Sequence, residues 1–395
     1  MKAGPAPFWK LRAKQAIMKA TQKTAVVEPG LYQSGDITYR KARPEDDEAL
    51  QAMLRENEME SWIRLSMESE PSYFSSTDTF GQTTTILGGK SSGAPVGVCS
   101  FDRMPVFING KPELTGYLGK LRVAAEYRNR IRIIRGGFQV VRLLNTGSER
   151  LGYWFTSIAK ENMAARRLLE ARLRGMPLYR QRGELTTFAI SSRAGRPRGI
   201  LQPAQRHDIA ELVNFYNRYA RRFQYAPVLT ESWLRQLNGA KGLALQDFRI
   251  VKEGGNIHAC LALWDQRKIR QTVVRGYRFP LNLLRAPYNL LARCSRRIVL
   301  PPPGEKLNHI FVAFMAIDNQ WQKYAAAIMD NALHEIKARN ADIGLVGLSP
   351  MNPLSKSFED YHKETYQTCI ESVSWPGEDE PAIDPAPTQP EIAIL

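Results

Sequence analysis

Apolar and polar positions along the chain alternate between two periods, and the alternation repeats. "DITYRKA" (36–42) has a period of two and predicts a strand. "RPEDDEALQAMLRENEM" (43–59) sets Ala, Leu and Met at helical spacing behind an acidic start, which suits a helix N-terminus. "TTTILGGKSSGAPVGVCSFDRM" (83–104) predicts two strands around a Gly/Ser turn, and "KPELTGYLGKLRVAA" (111–125) predicts a longer strand that runs into an arginine-rich helix. "RLGYWFTSIA" (150–159) predicts a strand, "KENMAARRLLEARLRG" (160–175) a helix with a glycine stop, and "LTTFAIS" (185–191) a strand that closes the unit.

After the Gly/Pro/Arg stretch "RAGRPRG" (193–199) a similar order returns. "DIAELVNFYNRYARRF" predicts a helix, and "LALQDFRIVKEGGNIHACLALWD" predicts two strands around Gly254-Gly255. "HIFVAFMAI", "WQKYAAAIMDNALHEIKARN", "ADIGLVGLSP", "NPLSKSFEDYH" and "CIESVSW" continue as strand, helix, strand, helix and strand. A chain of 395 residues exceeds the roughly 250–300 at which single cores stop growing, so two α/β units are expected. They span 31–192 and 200–375, with 193–199 as linker. Residues 1–30 form an N-terminal extension. The Pro-rich, acidic segment 376–395 has the composition of a disordered tail.

Charge sharpens the picture. The net is +16, with six Lys/Arg and no acid in residues 1–27, and five acids and no base in residues 376–395. Gly119–Arg182 holds fifteen Lys/Arg against four Glu, and Arg267–Arg297 holds nine basic residues and no acid. Such surfaces attract anions: nucleic acid, phospholipid, acidic carrier proteins or phosphorylated cofactors. The start of the chain interleaves Phe8, Trp9, Leu11, Ile17 and Met18 with Lys10, Arg12, Lys14 and Lys19. It predicts a basic amphipathic helix over 8–20, suited either to an anionic membrane surface or to packing on its own domain. The four scattered cysteines lack CxxC spacing and imply reduced thiols in a cytoplasmic setting; five histidines without HExxH give no metal site. "LGGKSSG" has Thr84 where a P-loop needs glycine, and "GLSPM" lacks the last glycine of a nucleophile elbow.

Residues 36–190 resemble a GNAT-family (GCN5-related) N-acyltransferase domain, and 200–375 resemble a second, divergent copy. The resemblance rests on "ITYRKARPEDDEALQAML", on "LRVAAEYRNR" as the central strand and turn, and on Asn162, Ala165 and Gly175 in "SIAKENMAARRLLEARLRG". It implies an α/β (α+β) fold of two tandem domains. The activity it implies is transfer of an acyl group from acetyl-CoA or a longer acyl-CoA to an amine of a small molecule or peptide. An acyl carrier protein as donor and a non-catalytic binding role are the alternatives. Nucleic-acid binding ranks last, because Tyr127, Phe138, Tyr153 and Trp154 read as core rather than as stacking platforms.

By the same resemblance, Leu121, Arg122 and Val123 offer backbone to the pantetheine, while Arg128, Arg130, Arg132 and Asn162 complete the cofactor site. Glu113, Tyr117 and Tyr179 are the acid–base candidates, with Ser157 nearby, and Asp265, Gln266 and Tyr277 are acceptor-pocket candidates in the second copy. The family turn Arg/Gln-x-x-Gly-x-Gly/Ala is matched only by Arg128, since Ile131 and Ile133 stand at the small positions, and the family tyrosine falls on Leu169. Three readings follow: arginine side chains replace the missing glycines, or the helix begins later at Gly136-Gly137, or the arginines are a solvated face.

Overall fold

The computed structural model describes residues 30–59, 61–90, 95–378 and 381–395; the amphipathic segment 8–20 and the turn residues 91–94 lie outside them. The first half runs β1 (Tyr32–Ser34), β2 (Ile37–Lys41), α1 (Asp47–Glu56), β3 (Ile63–Glu68), β4 (Gln82–Lys90), β5 (Pro95–Ile108) and β6 (Lys111–Val123). It continues with α2 (Ile131–Leu144), β7 (Tyr153–Ala159), α3 (Met163–Glu170) and β8 (Leu178–Ser191). The second half has β9 (Gln202–Pro203), α4 (Ile209–Ala220), α5 (Glu231–Gln236), β10 (Phe248–Glu253), β11 (Asn256–Trp264), β12 (Gln271–Tyr277) and α6 (Leu281–Cys294). It ends with β13 (His309–Ile317), α7 (Ala325–Ala338), β14 (Ile343–Leu348) and β15 (Lys363–Ser374). The fold is the mixed α/β class that the periodicities predict. "NPLSKSFEDYH" holds only a short 3-10 turn, Pro353–Phe358.

Thirteen strands form one sheet, in the order β1-β2-β4-β5-β6-β7-β15-β8-β14-β13-β11-β10-β9. The junction is an exchange. "LTTFAIS", expected to close the first unit, pairs with β14 of the second half (Ile190↔Gly344), and "CIESVSW" pairs with β7 of the first (Ile370↔Ser157). β8 and β15 also pair with each other along their length. Two sheets joined in this way have no free edge at the junction. A separate ribbon of β3 and β12 again ties one half to the other (Val274↔Leu65).

Each half keeps a hydrophobic layer on its sheet. In the first, Ile133, Phe138 and Val141 of α2 join Ile37, Tyr39, Ile86 and Trp154 in one core. In the second, Phe314 lies stacked on Phe248 and Trp264, with ring centroids 5.7 and 5.8 Å apart.

The acidic C-terminal segment departs from its expected disorder. Thr388, Ile392 and Ala393 are buried, and Gln224 and residues 387–389 exchange backbone hydrogen bonds of 2.8 and 2.9 Å. The composition argument fails because prolines keep the segment extended while its few apolar residues find pockets. Ile392 fills the space above Gly347, where a Cβ would lie 2.2 Å from it.

Candidate active site

The same irregularity occurs once in each half. β6 carries one extra residue opposite β5, between the pairs Val98↔Arg122 and Ser100↔Gly119, and there Lys120 adopts φ +51°. β13 carries one extra residue opposite β11, between Cys260↔Ala316 and Ala262↔Ala313, and there Phe314 adopts φ +52°. Bulges of this kind bend a strand away from its neighbour. Here each bulge follows a short parallel pairing. β6 and β7 pair over Thr115–Leu118 and Tyr153–Thr156, after which β7 stays with β15 and β6 with β5. β13 and β14 pair over His309–Phe311 and Ile343–Leu345 and then part likewise. The chain therefore has two V-shaped clefts related by its internal repeat.

The second cleft is filled by the C-terminal segment. Gln389 holds one wall, donating to the Gly347 oxygen at 2.8 Å and accepting from Ser349 N–H at 2.8 Å. Glu391 holds the other, accepting from the Phe314 N–H of the bulge at 2.7 Å. Burial raises the Glu391 carboxyl to about 7, against the pull of the backbone donors of Phe314, Ala393 and Ile392. Because the folded pKa lies above the ordinary 4.5, this group's contribution to stability is full below about pH 4.5 and is lost as pH rises through about 7. Glu391→Ala would leave the Phe314 N–H buried without its acceptor, at a cost of about 1–3 kcal/mol. Limited proteolysis should then cut the C-terminal segment faster than in wild type, and an unchanged rate would refute its anchoring role.

The first cleft is lined by charge instead. Tyr117, one of the candidates, is buried at its mouth with its hydroxyl 2.7 Å from Ser157 Oγ, and burial raises its pKa. Lys120 donates to Ser76 Oγ at 2.8 Å and lies 4.7 Å from the centre of the Tyr73 ring. Burial, reinforced by the positive charge of Arg270, lowers Lys120 to about 8. Arg122 and Arg270 are lowered by burial too, and Lys241, which donates to the Ser75 oxygen at 2.9 Å, adds to the positive field. Asp102 is the carboxylate facing them. Burial raises its pKa, opposed by a hydrogen bond from Thr83 and by Lys120 and Arg270. Arg270 comes from the second half and donates to the backbone oxygen of Leu395, so the C-terminal segment runs from the filled cleft to the edge of the charged one.

The helix after the cleft starts before the glycine pair. α2 begins at Ile131, with Arg130 as a cap residue that makes no side-chain capping bond. Its N-terminal N–H groups therefore start three residues after Arg128, not at Gly136-Gly137. Ile133 points inward against Gly97, and Ile131 packs beside the same core, so neither side chain blocks the approach to the helix end. Gly136 serves packing: a Cβ there would lie 2.2 Å from Tyr39 Cζ. Arg128 reaches Asn57 Oδ1 at 3.2 Å, Arg130 lies over the Tyr127 ring at 5.1 Å, and Arg132 pairs with Asp36 at 3.1 Å.

Several candidates fall elsewhere. Tyr179 is in the core between α2 and the sheet, edge-on to Phe138 at 6.4 Å, and burial drives its pKa well up. Glu113 sits six residues before Gly119 on β6, which at about 3.3 Å per residue is roughly 20 Å from the cleft. Asn162 caps α3 by accepting from Ala165 N–H at 3.1 Å, and Gln266 is buried, donating to the Ala393 oxygen at 2.7 Å. Asp265 pairs with Arg267 at 2.7 Å, and the Tyr277 hydroxyl donates to the Pro301 oxygen at 2.6 Å. Sequence periodicity gives no sign of Asp102, Lys120 and Arg270, because each occupies an ordinary strand or strand-edge position. The available signal was charge: Lys120 lies in the basic run Gly119–Arg182 and Arg270 in the acid-free run Arg267–Arg297. Among the described residues no three His, Cys, Asp or Glu side chains gather as metal ligands.

No protein-family model matches the sequence, and no curated protein matches it by sequence. Solved structures do match it in fold. N-myristoyltransferase from Saccharomyces cerevisiae, solved with bound myristoyl-CoA, superposes with a TM-score of 0.58 at 11% identity, over 91% of this chain and 90% of that one. The GCN5-related glucosamine N-acetyltransferase region of a fungal multi-domain GH3 β-N-acetylglucosaminidase gives 0.55 at 12% identity, over 89% of this chain and 39% of that one. With two bulged strands, two parting parallel pairs and one continuous sheet, the chain has the tandem GNAT-type fold of an N-myristoyltransferase.

Proposed function

We propose that the protein is an acyl-CoA-dependent N-acyltransferase that binds its donor in the first half only. The observation that carries this reading is the asymmetry of the clefts: the second is occupied by Gln389 and Glu391, the first by a cationic cluster leading to a helix N-terminus. In the first half, the parted backbone of Gly119–Val123 would take the thioester arm. The N–H groups opening α2, with Arg128 and Arg130, would take the pyrophosphate. The bond that forms joins the amine nitrogen to the acyl carbon, and the bond that breaks is carbon–sulfur. We assign proton removal from the amine to Asp102, whose pKa burial raises, and proton return to the thiolate to Lys120, whose pKa burial lowers to about 8. Tyr117 and Ser157 position the mouth. The excess of cations (Arg122, Arg270 and Lys241 around one Asp) favours an acceptor amine that carries a negative group of its own, such as a carboxylate.

Native mass spectrometry with acetyl-CoA, myristoyl-CoA and free CoA tests the donor. One equivalent per chain is expected. Two equivalents would overturn the assignment of a closed second cleft, and none would move the donor to an acyl carrier protein or remove the activity. Arg128→Ala with Arg130→Ala should weaken CoA binding roughly tenfold or more, since hydrogen bonds to charged groups contribute about 1.5–3 kcal/mol each. Unchanged affinity, measured by titration calorimetry, would separate the arginines from the pyrophosphate.

A further inference from the structure

Helix α6 is amphipathic with its apolar side turned out. Leu283, Leu284, Leu290 and Leu291 are 69, 53, 69 and 69% exposed, and with Pro287 they fall at i, i+1, i+4, i+7 and i+8 on one stripe. The inward side is polar. Asn289 exchanges two hydrogen bonds with the Leu300 backbone, 2.9 and 2.8 Å, Arg285 donates to the same oxygen at 3.4 Å, and Ala292 is the helix's buried residue. Phe279, 73% exposed, precedes the helix, and Trp62, 61% exposed, lies beside it, its oxygen accepting from Arg278 N–H at 3.0 Å. Together these side chains gather six large exposed apolar groups on and beside one helix, and contiguous apolar patches mark a partner.

The surrounding charge selects the partner. Around the helix, residues 278–297 carry five arginines and no acid. Behind the helix, a cavity of about 500 Å³ is lined by Arg193, Arg285, Arg293, Arg297 and Lys306 against Glu305 and Asp342. Glu364 is a further acid near this helix, felt by Tyr288. An apolar stripe with an interfacial tryptophan and a cationic flank has the composition of a surface-lying membrane helix. We infer that α6, with Trp62 and Phe279, docks on an anionic phospholipid bilayer, the leucines entering the acyl region and the arginines meeting headgroup phosphates. Among the described residues no helix is long and apolar enough to cross a membrane. The surface is independent of the acyl-transfer assignment. It lies at the far end of the β3–β12 ribbon from Arg270, seven residues along or roughly 24 Å at about 3.4 Å per residue.

The test is co-sedimentation of the full chain with vesicles of phosphatidylcholine alone and of phosphatidylcholine with about one-third phosphatidylglycerol, at low and high salt. Binding to the anionic vesicles, reduced by salt and at least tenfold weaker in Leu290→Asp/Leu291→Asp, supports the inference. Both leucines are exposed, so the variant should keep its unfolding midpoint. A companion variant, Trp9→Glu, separates the basic N-terminal segment. Loss of binding in Trp9→Glu with none in Leu290→Asp/Leu291→Asp would overturn the inference, as would no binding to either vesicle. A concentration-dependent dimer abolished by Leu290→Asp/Leu291→Asp would also overturn it, by assigning the face to a second copy.

Discussion

Lys120→Met should make the protein more stable and less active. At neutral pH the wild-type ammonium sits among Arg270, Arg122 and Lys241 with Asp102 as the opposing charge, and burial is the main reason its pKa falls from 10.5 to about 8. Below about pH 8 the lysine is charged in both folded and unfolded chains, and the fold bears the whole cost of burying it. Between about 8 and 10.5 the folded protein gives up the proton first, so stability rises with pH, and above 10.5 the cost is gone. Methionine removes the charge and keeps the volume. After the lost bond to Ser76 is counted, the expected gain is on the order of 1–3 kcal/mol at pH 7. It should shrink as denaturation is repeated toward pH 10. The same variant should lower kcat by about a hundredfold or more, since it removes the group assigned to protonate the thiolate. If stability falls at pH 7 as well, the cluster is a structural network and not a site held at the fold's expense.

Gly136→Val should be among the most damaging single changes in the first half. Tyr39, against which the new side chain would press, is 2% exposed and donates from its hydroxyl to the Ile133 oxygen at 3.1 Å, so it has nowhere to go. A loss of about 3 kcal/mol or more is expected from overpacking in a locked core, read as a lower midpoint in urea. Gly137 is the control. A Cβ there would meet only Cys99 Sγ at 3.3 Å, and alanine gains helix propensity of about 1 kcal/mol over glycine, so Gly137→Ala should be near neutral. Equal damage at both positions would contradict the packing account. Loss of CoA affinity without loss of stability would restore the glycines to the phosphate turn.

The glycine pair illustrates where sequence reasoning reaches its limit. Two adjacent glycines after arginines fit a phosphate turn, because only backbone permissiveness is visible in sequence. Tyr39, which dictates the first glycine, lies 97 positions earlier. The local elements were legible: the long strand of "KPELTGYLGKLRVAA", the turn at Gly254-Gly255 and the existence, though not the start, of the arginine-rich helix all follow from period and turn chemistry. The exchange of β8 and β15 was not, since either strand would pair equally well at home. The bulge at Lys120 gave no signal either, because a left-handed bulge residue is ordinarily glycine or asparagine. Helix α6 inverts the usual rule, and an apolar stripe at helical spacing conveys nothing about which way it faces.

The exchanged strands also govern how the protein comes into being. A ribosome completes β7 and β8 long before β15 emerges, so the first half waits with an open edge on β7 and a gap its partner must enter. Pairings between such distant segments are slow to form, and exposed edges recruit wrong partners in the meantime. Separately expressed halves should therefore be insoluble, and the intact chain should need chaperone help in proportion to the time its last strand is missing.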